Sequence, residues 1–335
     1  MTTTNYLSGY ALVKKVGDTM HVFEPNPGSA DNLPVVAEGS STPRTLKQRF
    51  ADVVNVRDFG AVGDGVHDDT AAIQESFQAV FCKGGGTVLI PRGVYALTGT
   101  LCIGANTTVL CDEQARLLRT TAYTPILANC LGETFQEFYY KASVGYVGHG
   151  NIRFVNGTID ANVRKLGVEN HINGLTFYDT QNVVVEGTRF VDWGHNHQIE
   201  FGAARNCKVY KCVFEGMAWE TSYSDVPECI QLDRRGLTAT SPFFPCDGIE
   251  ISQNWFGPSD FDAASGAVGG PPPLACGSHA PSLAKNVSIH DNVIVKPKIG
   301  IQLYSYNNVA VYNNKIIDAE IGIYWGAFVW DSESL

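Results

Sequence analysis

The sequence predicts an all-β fold, a right-handed single-stranded parallel β-helix with an N-terminal capping helix and a short N-terminal arm. Three observations predict it. A nine-residue pattern recurs six times after residue 150, short alternating strands fall between the recurrences, and the 34 glycines gather at turns rather than in helical patterns.

The recurring segments are Asn151–Ile159 (NIRFVNGTI), Asn182–Phe190, Asn206–Phe214, Gly248–Phe256, Asn286–Ile294 and Asn308–Ile316. Each carries apolar residues at its second, fourth and ninth positions and Asn or Gly at its first. The shortest offsets, 22 residues from 286 to 308 and 24 from 182 to 206, are the length of one coil of three strands and their turns. Longer offsets place insertions at one corner, as repeat architectures allow. The seventh position is Asn at 254, 292 and 314, so these side chains are expected to stack in a hydrogen-bonded ladder.

The second series is GLTFYD (174–179), HQIEFG (197–202), CIQLDR (229–234), LACGSH (274–279), GIQLYS (300–305) and IGIYWG (321–326). Period-two alternation turns Leu175/Phe177, Ile199/Phe201, Ile230/Leu232, Leu274/Cys276 and Ile301/Leu303 inward. The right-handed coil follows from the handedness of parallel crossovers.

Residues 51–105 read as an opening and capping segment, with coils from about 106 to 335. Val54, Val56 and Phe59 begin a strand, and Gly60, Gly63 and Gly65 make a turn. Asp68 or Asp69 can cap a helix that places Ile73, Phe77, Val80 and Phe81 on one face. Such a helix covers the end of a strand stack that would otherwise expose apolar groups and free edges. Asp64, His67, Asp68 and Asp69 have the look of a metal cluster, but turn formation and helix capping account for them, and no metal is assigned. Residues 1–50 read as an arm and linker, with apolar runs at Tyr10–Val16 and Met20–Phe23 and a short helix at Thr45–Ala51.

The charge balance narrows the partners. A net charge of −10 argues against nucleic acid, whose phosphates require clustered Lys and Arg. No apolar run approaches the ~20 residues of a membrane span, and the N-terminus lacks a signal-peptide layout. The nine cysteines form no CxxC pair and several, such as Cys207, Cys229 and Cys276, sit at apolar strand positions, so buried thiols are expected.

The block NVRDFGAVGDGVHDDTAAIQ, followed by GGGTVLIPRGVYAL, resembles the opening segment of the pectate-lyase-like β-helix superfamily. Within it, a short arm and a TPRTLKQRFADVVNVRDFGA lead before the coils resemble bacteriophage tailspikes. That resemblance implies a homotrimer fixed to a phage tail or baseplate through the arm. It implies a virion protein made in the host cytoplasm, released by lysis, that binds and cleaves capsular polysaccharide or O-antigen without a cofactor. Tailspikes usually carry a further region after the helix, where this sequence ends AFVWDSESL.

The outward residues of the second strand series supply the candidate site. One expected row runs Thr176, Glu200, Gln231, Ala275, Gln302, and the next Tyr178, Gly202, Asp233, Gly277, Tyr304. Small residues beside polar ones suggest a groove floor. The insertions Glu215–Asp247 and Gly257–Lys285, rich in aromatic residues and proline, suggest its walls. Glu200 and Asp233 fall on adjacent coils, two residues apart along the strand, hence roughly 8 Å between Cβ atoms. That suits an inverting glycosidase, with one carboxyl as acid and the other as base for water. Glu228 is a third candidate. His197, Gln231, Arg234, His279, Gln302, Tyr304 and Trp219 are the expected substrate contacts, with His195 on the same coils. A lyase stays open, because His197 or His279 with Tyr304 and Arg234 would supply base and carboxylate neutraliser. So does a non-catalytic glycan receptor or structural tail protein.

Overall fold

The computed structural model describes residues 5–8, 11–16, 19–23, 32–130, 145–167, 172–217, 227–235, 243–258, 274–278 and 282–326; of the first three segments and Leu274 it gives the backbone only. Internal contacts divide the chain into two units, Met1–Val54 and Asn55–Leu335.

In the first unit, Asn5–Ser8, Ala11–Val16 and Thr19–Phe23 form an antiparallel meander, covering much of the two apolar runs. Pro34–Val36 pairs with Pro43–Thr45, and a helix follows at Leu46–Phe50. Its start is a capping box: Thr45 Oγ1 accepts from Gln48 N at 3.1 Å, and the Gln48 side chain accepts from Thr45 N at 2.8 Å.

The second unit is the right-handed parallel β-helix. Its three parallel sheets hold eight, nine and nine strands, and neighbours within a sheet lie one coil apart in the chain. The nine-residue repeat spans two of these sheets. Its first strand (Ile152–Val155 in the first copy) joins one sheet and its second (Thr158–Asp160) joins the next.

Backbone geometry explains the residue types. The first position of every repeat is left-handed: Asn151, Asn182, Asn206, Gly248, Asn286 and Asn308 have φ between 53° and 71°. So is the sixth, at Asn156, Gly187, Lys211, Gln253, Asp291 and Asn313. Gly adopts this conformation without steric cost, and Asn and Asp tolerate it best among the others. Two left-handed residues per repeat therefore make the two corners that bend the chain from sheet to sheet.

The expected ladder forms. Asn254 N and Nδ2 both donate to Asn292 Oδ1, at 2.9 and 3.0 Å, and Asn292 N and Nδ2 donate to Asn314 Oδ1, at 3.1 and 2.9 Å. Each Nδ2 also donates to a carbonyl of the preceding coil, so the buried amides are satisfied inside the core. Beside the ladder, Phe190, Phe214 and Phe256 stack at 4.9 and 4.6 Å between ring centroids.

The helix Thr70–Cys82 buries Ile73, Phe77 and Val80. Asp68 Oδ1 accepts from Thr70 N, whereas Asp69 turns back and accepts from Val62 N and Gly63 N. Asp64 accepts from Val66 N and His67 N, bonds that hold its carboxyl down at about 2. The acidic cluster is thus turn and cap chemistry, as the sequence suggests. Eight of the nine cysteines are buried and none forms a disulfide. No helix among the described residues is long and apolar enough to cross a membrane.

Candidate functional site

The eight-strand sheet carries the site. Its strands are Leu101–Ile103, Leu127–Asn129, Leu175–Tyr178, Ile199–Gly202, Glu228–Asp233, Leu274–Gly277, Ile299–Tyr304 and Ile321–Gly326. The register places Thr176, Glu200 and Gln231 on one rung and Tyr178, Gly202 and Asp233 on the next outward one. Glu200 and Asp233 are therefore diagonal neighbours on adjacent coils, as the alternation predicts.

One part of the expected register is corrected. Gly277 pairs with Gln231 and Gln302, so it stands on the Glu200 rung in place of Ala275 and is absent from the Asp233 rung. Cys276 correspondingly faces Ile230 and Ile301. A slip of two residues keeps every side chain on its predicted face, so alternation alone cannot detect it. Gly277 adopts φ +137°, and a Cβ there would lie 1.9 Å from the Gln302 carbonyl oxygen, so the strands close only over glycine.

Glu200 is 7% exposed. Its carboxylate accepts from Asn173 Nδ2 and, at 2.5 Å, from the Tyr178 hydroxyl. Burial pushes its pKa up, and the Asp233 charge adds to the rise; His197, Arg235 and the Tyr178 hydroxyl oppose it. Asp233 sits at the half-buried end of its strand and accepts from Arg234 N at 2.7 Å. Two carboxyls on neighbouring coils thus occupy unlike surroundings.

Glu228 takes another place. It is fully buried, and its Oε2 lies 3.2 Å from His197 Nδ1. Its carboxyl faces the interior beside the His197 imidazole. Residue 228 shares the inward parity of Ile230, so the alternation already carried this signal. The backbone N–H of His197 in turn donates to Asn173 Oδ1 at 3.4 Å, tying the imidazole's residue to the amide that serves Glu200. His195 Nδ1 lies 3.1 Å from Asn196 Oδ1 at the same corner.

Gln231 and Gln302 are buried on the Glu200 rung. Tyr304 is half-buried two residues on, opposite Gly326, and Arg234 lies over the Phe243 ring at 4.2 Å. His279 and Trp219 lie outside the described residues, as do Tyr223, Phe261 and Pro271–Pro273 of the expected walls. Of those walls, Phe243 is 41% exposed beneath Arg234, and Phe244 packs edge-on to Tyr146.

Sequence reasoning missed Asn173, Asp179 and Arg235. Arg235 Nη1 pairs with Asp179 Oδ2 at 3.1 Å, and its guanidinium covers the Tyr178 ring at 4.2 Å. Gly202 makes this stack possible: a Cβ there would meet the Tyr178 ring at 2.7 Å and Arg235 Cδ at 3.0 Å. Asn173 and Asp179 flank a strand and Arg235 follows one, so period-two reading passes over all three. The glycine that ends the strand IEFG was the available signal. Among the described residues, no cluster of His, Cys, Asp and Glu is arranged to hold a metal.

The fold defines a right-handed parallel β-helix protein, and its lead segment is similar to a known family. Residues 53–123 match the family model described as rhamnogalacturonase A/epimerase, pectate lyase-like. The plasmin and fibronectin-binding protein A of Streptococcus pneumoniae is 25% identical over 81% of the chain, which spans only 40% of that relative's length. Its crystal structure, described as a surface adhesin, aligns with TM-score 0.67 and 22% identity over 79% of this chain and 62% of that one. The tailspike protein of E. coli bacteriophage HK620, in complex with a pentasaccharide, aligns with TM-score 0.65 and 16% identity over 92% of this chain and 53% of that one. Mannuronan C5-epimerase AlgE5 of Azotobacter vinelandii is 60% identical over 45 residues, 13% of this chain and 4% of the enzyme.

Proposed function

We propose that this β-helix binds a bacterial surface polysaccharide, capsule or O-antigen, and cleaves it by glycoside hydrolysis, as a tailspike on a phage virion does. The observation that carries the reading is the unlike setting of Glu200 and Asp233. A carboxyl whose proton is retained by burial serves as general acid, and a more exposed carboxylate serves as base for water. With coils about 4.8 Å apart and about 6.6 Å per two residues, the diagonal is roughly 8 Å, within the ~6.5–9.5 Å range of inverting glycosidases.

In this mechanism Tyr178 and Asn173 hold Glu200 towards the glycosidic oxygen, and Glu200 delivers its proton there as the bond to the anomeric carbon breaks. Asp233 takes a proton from the water that attacks the opposite face. Gln231 and Gln302 bind hydroxyls along the rung, and His197, fixed by Glu228, completes the floor. The arm and trimer assembly belong to the same proposal.

A second reading has its own support: the adhesin of S. pneumoniae matches the coils over most of the chain, so a glycan or protein receptor role without catalysis is the competitor. Digestion of purified capsular and O-antigen polysaccharides separates the readings. New reducing ends without the ultraviolet absorbance of an unsaturated uronate are expected. Absorbance rising with cleavage overturns hydrolysis in favour of elimination, and binding without cleavage makes the protein a receptor.

A further inference from the structure

Arg235 reaches back over the coil that carries Glu200. Tyr178, Gly202 and Asp233 stand on one rung of three successive coils, and Arg235 follows Asp233 by two residues. Its side chain nevertheless ends on the first of the three. There the guanidinium lies 4.2 Å from the Tyr178 ring centroid, and Nη1 lies 3.1 Å from Asp179 Oδ2. Two coil spacings are about 10 Å, so the side chain is laid across the middle coil rather than beside it. It passes over Gly202, where a Cβ would come within 3.0 Å of Arg235 Cδ.

Both ends of this strap are fixed. At the backbone, Arg235 N donates to Phe244 O at 3.0 Å and Phe244 N donates to Arg235 O at 2.8 Å, an isolated antiparallel bridge. Phe244 in turn packs edge-on to Tyr146. At the tip, Asp179 is fully buried, and its backbone N–H donates to Gly202 O at 2.9 Å, so the carboxylate that receives the guanidinium is itself held.

Neutralising Asp179 explains a cation here but not where this one lies. A lysine would answer the buried carboxylate as a point charge, whereas a guanidinium can pair with a carboxylate and lie over an aromatic ring at once. The ring it covers is the one whose hydroxyl donates to Glu200 Oε1 at 2.5 Å. A cation over that ring polarises the phenol into a stronger donor and restrains the ring. Among the described residues, Tyr178, Asn173, His197, Asp233 and Arg235 face Glu200. Burial and Asp233 favour the protonated acid; His197, the Tyr178 hydroxyl and Arg235 favour the carboxylate.

We propose that Arg235, clamped by Asp179, is a positioning residue for Glu200: laid across the Glu200 coil, it holds the Tyr178 phenol on that carboxyl and so governs when its proton leaves. The assignment rests on the reading of Glu200 as general acid and deepens it. Asp179 belongs to the same device, one contact further from the acid.

The test follows the Glu200 proton first without turnover. Removing Arg235 alone strands a buried carboxylate, so the two residues are replaced together, as Asp179→Asn/Arg235→Met. Thermal unfolding of the full chain from pH 4 to 9 compares Glu200→Gln with its parent, once in the wild-type background and once in the double variant. The stability gap is expected to level off about one pH unit higher in the double variant, because a favourable charge and an aligned donor no longer hold the carboxylate. In reducing-end assays the alkaline limb should rise by the same amount, with kcat lowered about tenfold or more and KM little changed. Arg235→Lys, which keeps Asp179 paired but cannot stack flat, should fall between wild type and the double variant. A gap that levels off at the same pH in both backgrounds overturns the proposal, and if cleavage persists it does so without touching the hydrolase reading. If the double variant fails to fold, Arg235→Lys decides, and an unchanged gap with unchanged turnover overturns the proposal there too. A shifted gap in a protein that cleaves no glycan upholds the hold of Arg235 on Glu200 while the hydrolase reading falls.

Discussion

The Tyr178 hydroxyl donates to Glu200 Oε1 at 2.5 Å from the neighbouring coil, and the Tyr178 ring lies where a Cβ on Gly202 would otherwise project. The relationship joins a coil-closing glycine, an aromatic support and a buried carboxyl. Arg235, paired with Asp179, closes the stack from outside.

Replacing Gly202 with Ala is expected to displace both Tyr178 and Arg235. The overpacking should cost about 1–3 kcal/mol. Glycan cleavage should fall further than stability does, because Glu200 loses its aligned donor. Denaturant unfolding alongside reducing-end assays on the same preparation checks this; a Gly202→Ala protein with wild-type turnover removes Tyr178 from the mechanism.

Glu200→Gln and Asp233→Asn are each expected to lower turnover by about 10²–10⁴, the usual contribution of a positioned acid or base. Expression and glycan binding should be retained, since neither substitution changes side-chain volume appreciably. Turnover within a few-fold of wild type in both variants would end the site assignment.

The pH dependence has a definite sign. The unfolded chain releases the Glu200 proton near the ordinary 4.5, and the folded chain holds it to higher pH. Between those values the folded state binds more protons, so the Glu200 contribution to stability falls as pH rises through the window. Relative to wild type, Glu200→Gln should therefore become more stable as pH rises above 4.5, levelling off beyond the raised value. Thermal unfolding of the two proteins from pH 4 to 8 measures the difference. A gap that is flat with pH would mean Glu200 titrates normally. The alkaline limb of the turnover profile should likewise lie above the ordinary carboxylate range.

The interior ladder should respond to a single cut. Asn292→Ala leaves Asn254 N, Asn254 Nδ2 and the Ile251 carbonyl without the bonds Asn292 now provides. Leaving buried polar groups unsatisfied costs about 1–3 kcal/mol each, so the unfolding midpoint should drop clearly. Asn308→Gly, which removes the exposed ladder amide beside Asn286 but keeps the left-handed backbone free of strain, should change it little. Equal effects at the two positions would show that stacking alone, not burial, sets the worth of the ladder.

The coil was legible because its signals are local. Asn or Gly at the first repeat position answers to a left-handed backbone, and apolar residues at the second, fourth and ninth answer to an interior that every coil shares. Alternation also carried Glu200 and Asp233 to the correct diagonal, since their strands run without interruption. The rung of Gly277 was decided only by the fold: period two fixes the face of a residue, whereas the rung depends on how a long insertion returns to the sheet. The fold alone likewise brought Arg235 onto Tyr178 and left Arg119 buried beside Tyr123. Each of these depends on which corner residues meet across coils, and such contacts between distant parts of the chain leave no periodic trace in it. Local pattern therefore carried the coil and the diagonal of Glu200 and Asp233, while packing across coils fixed which of those charges is covered from water, the difference on which the proposed acid and base roles rest.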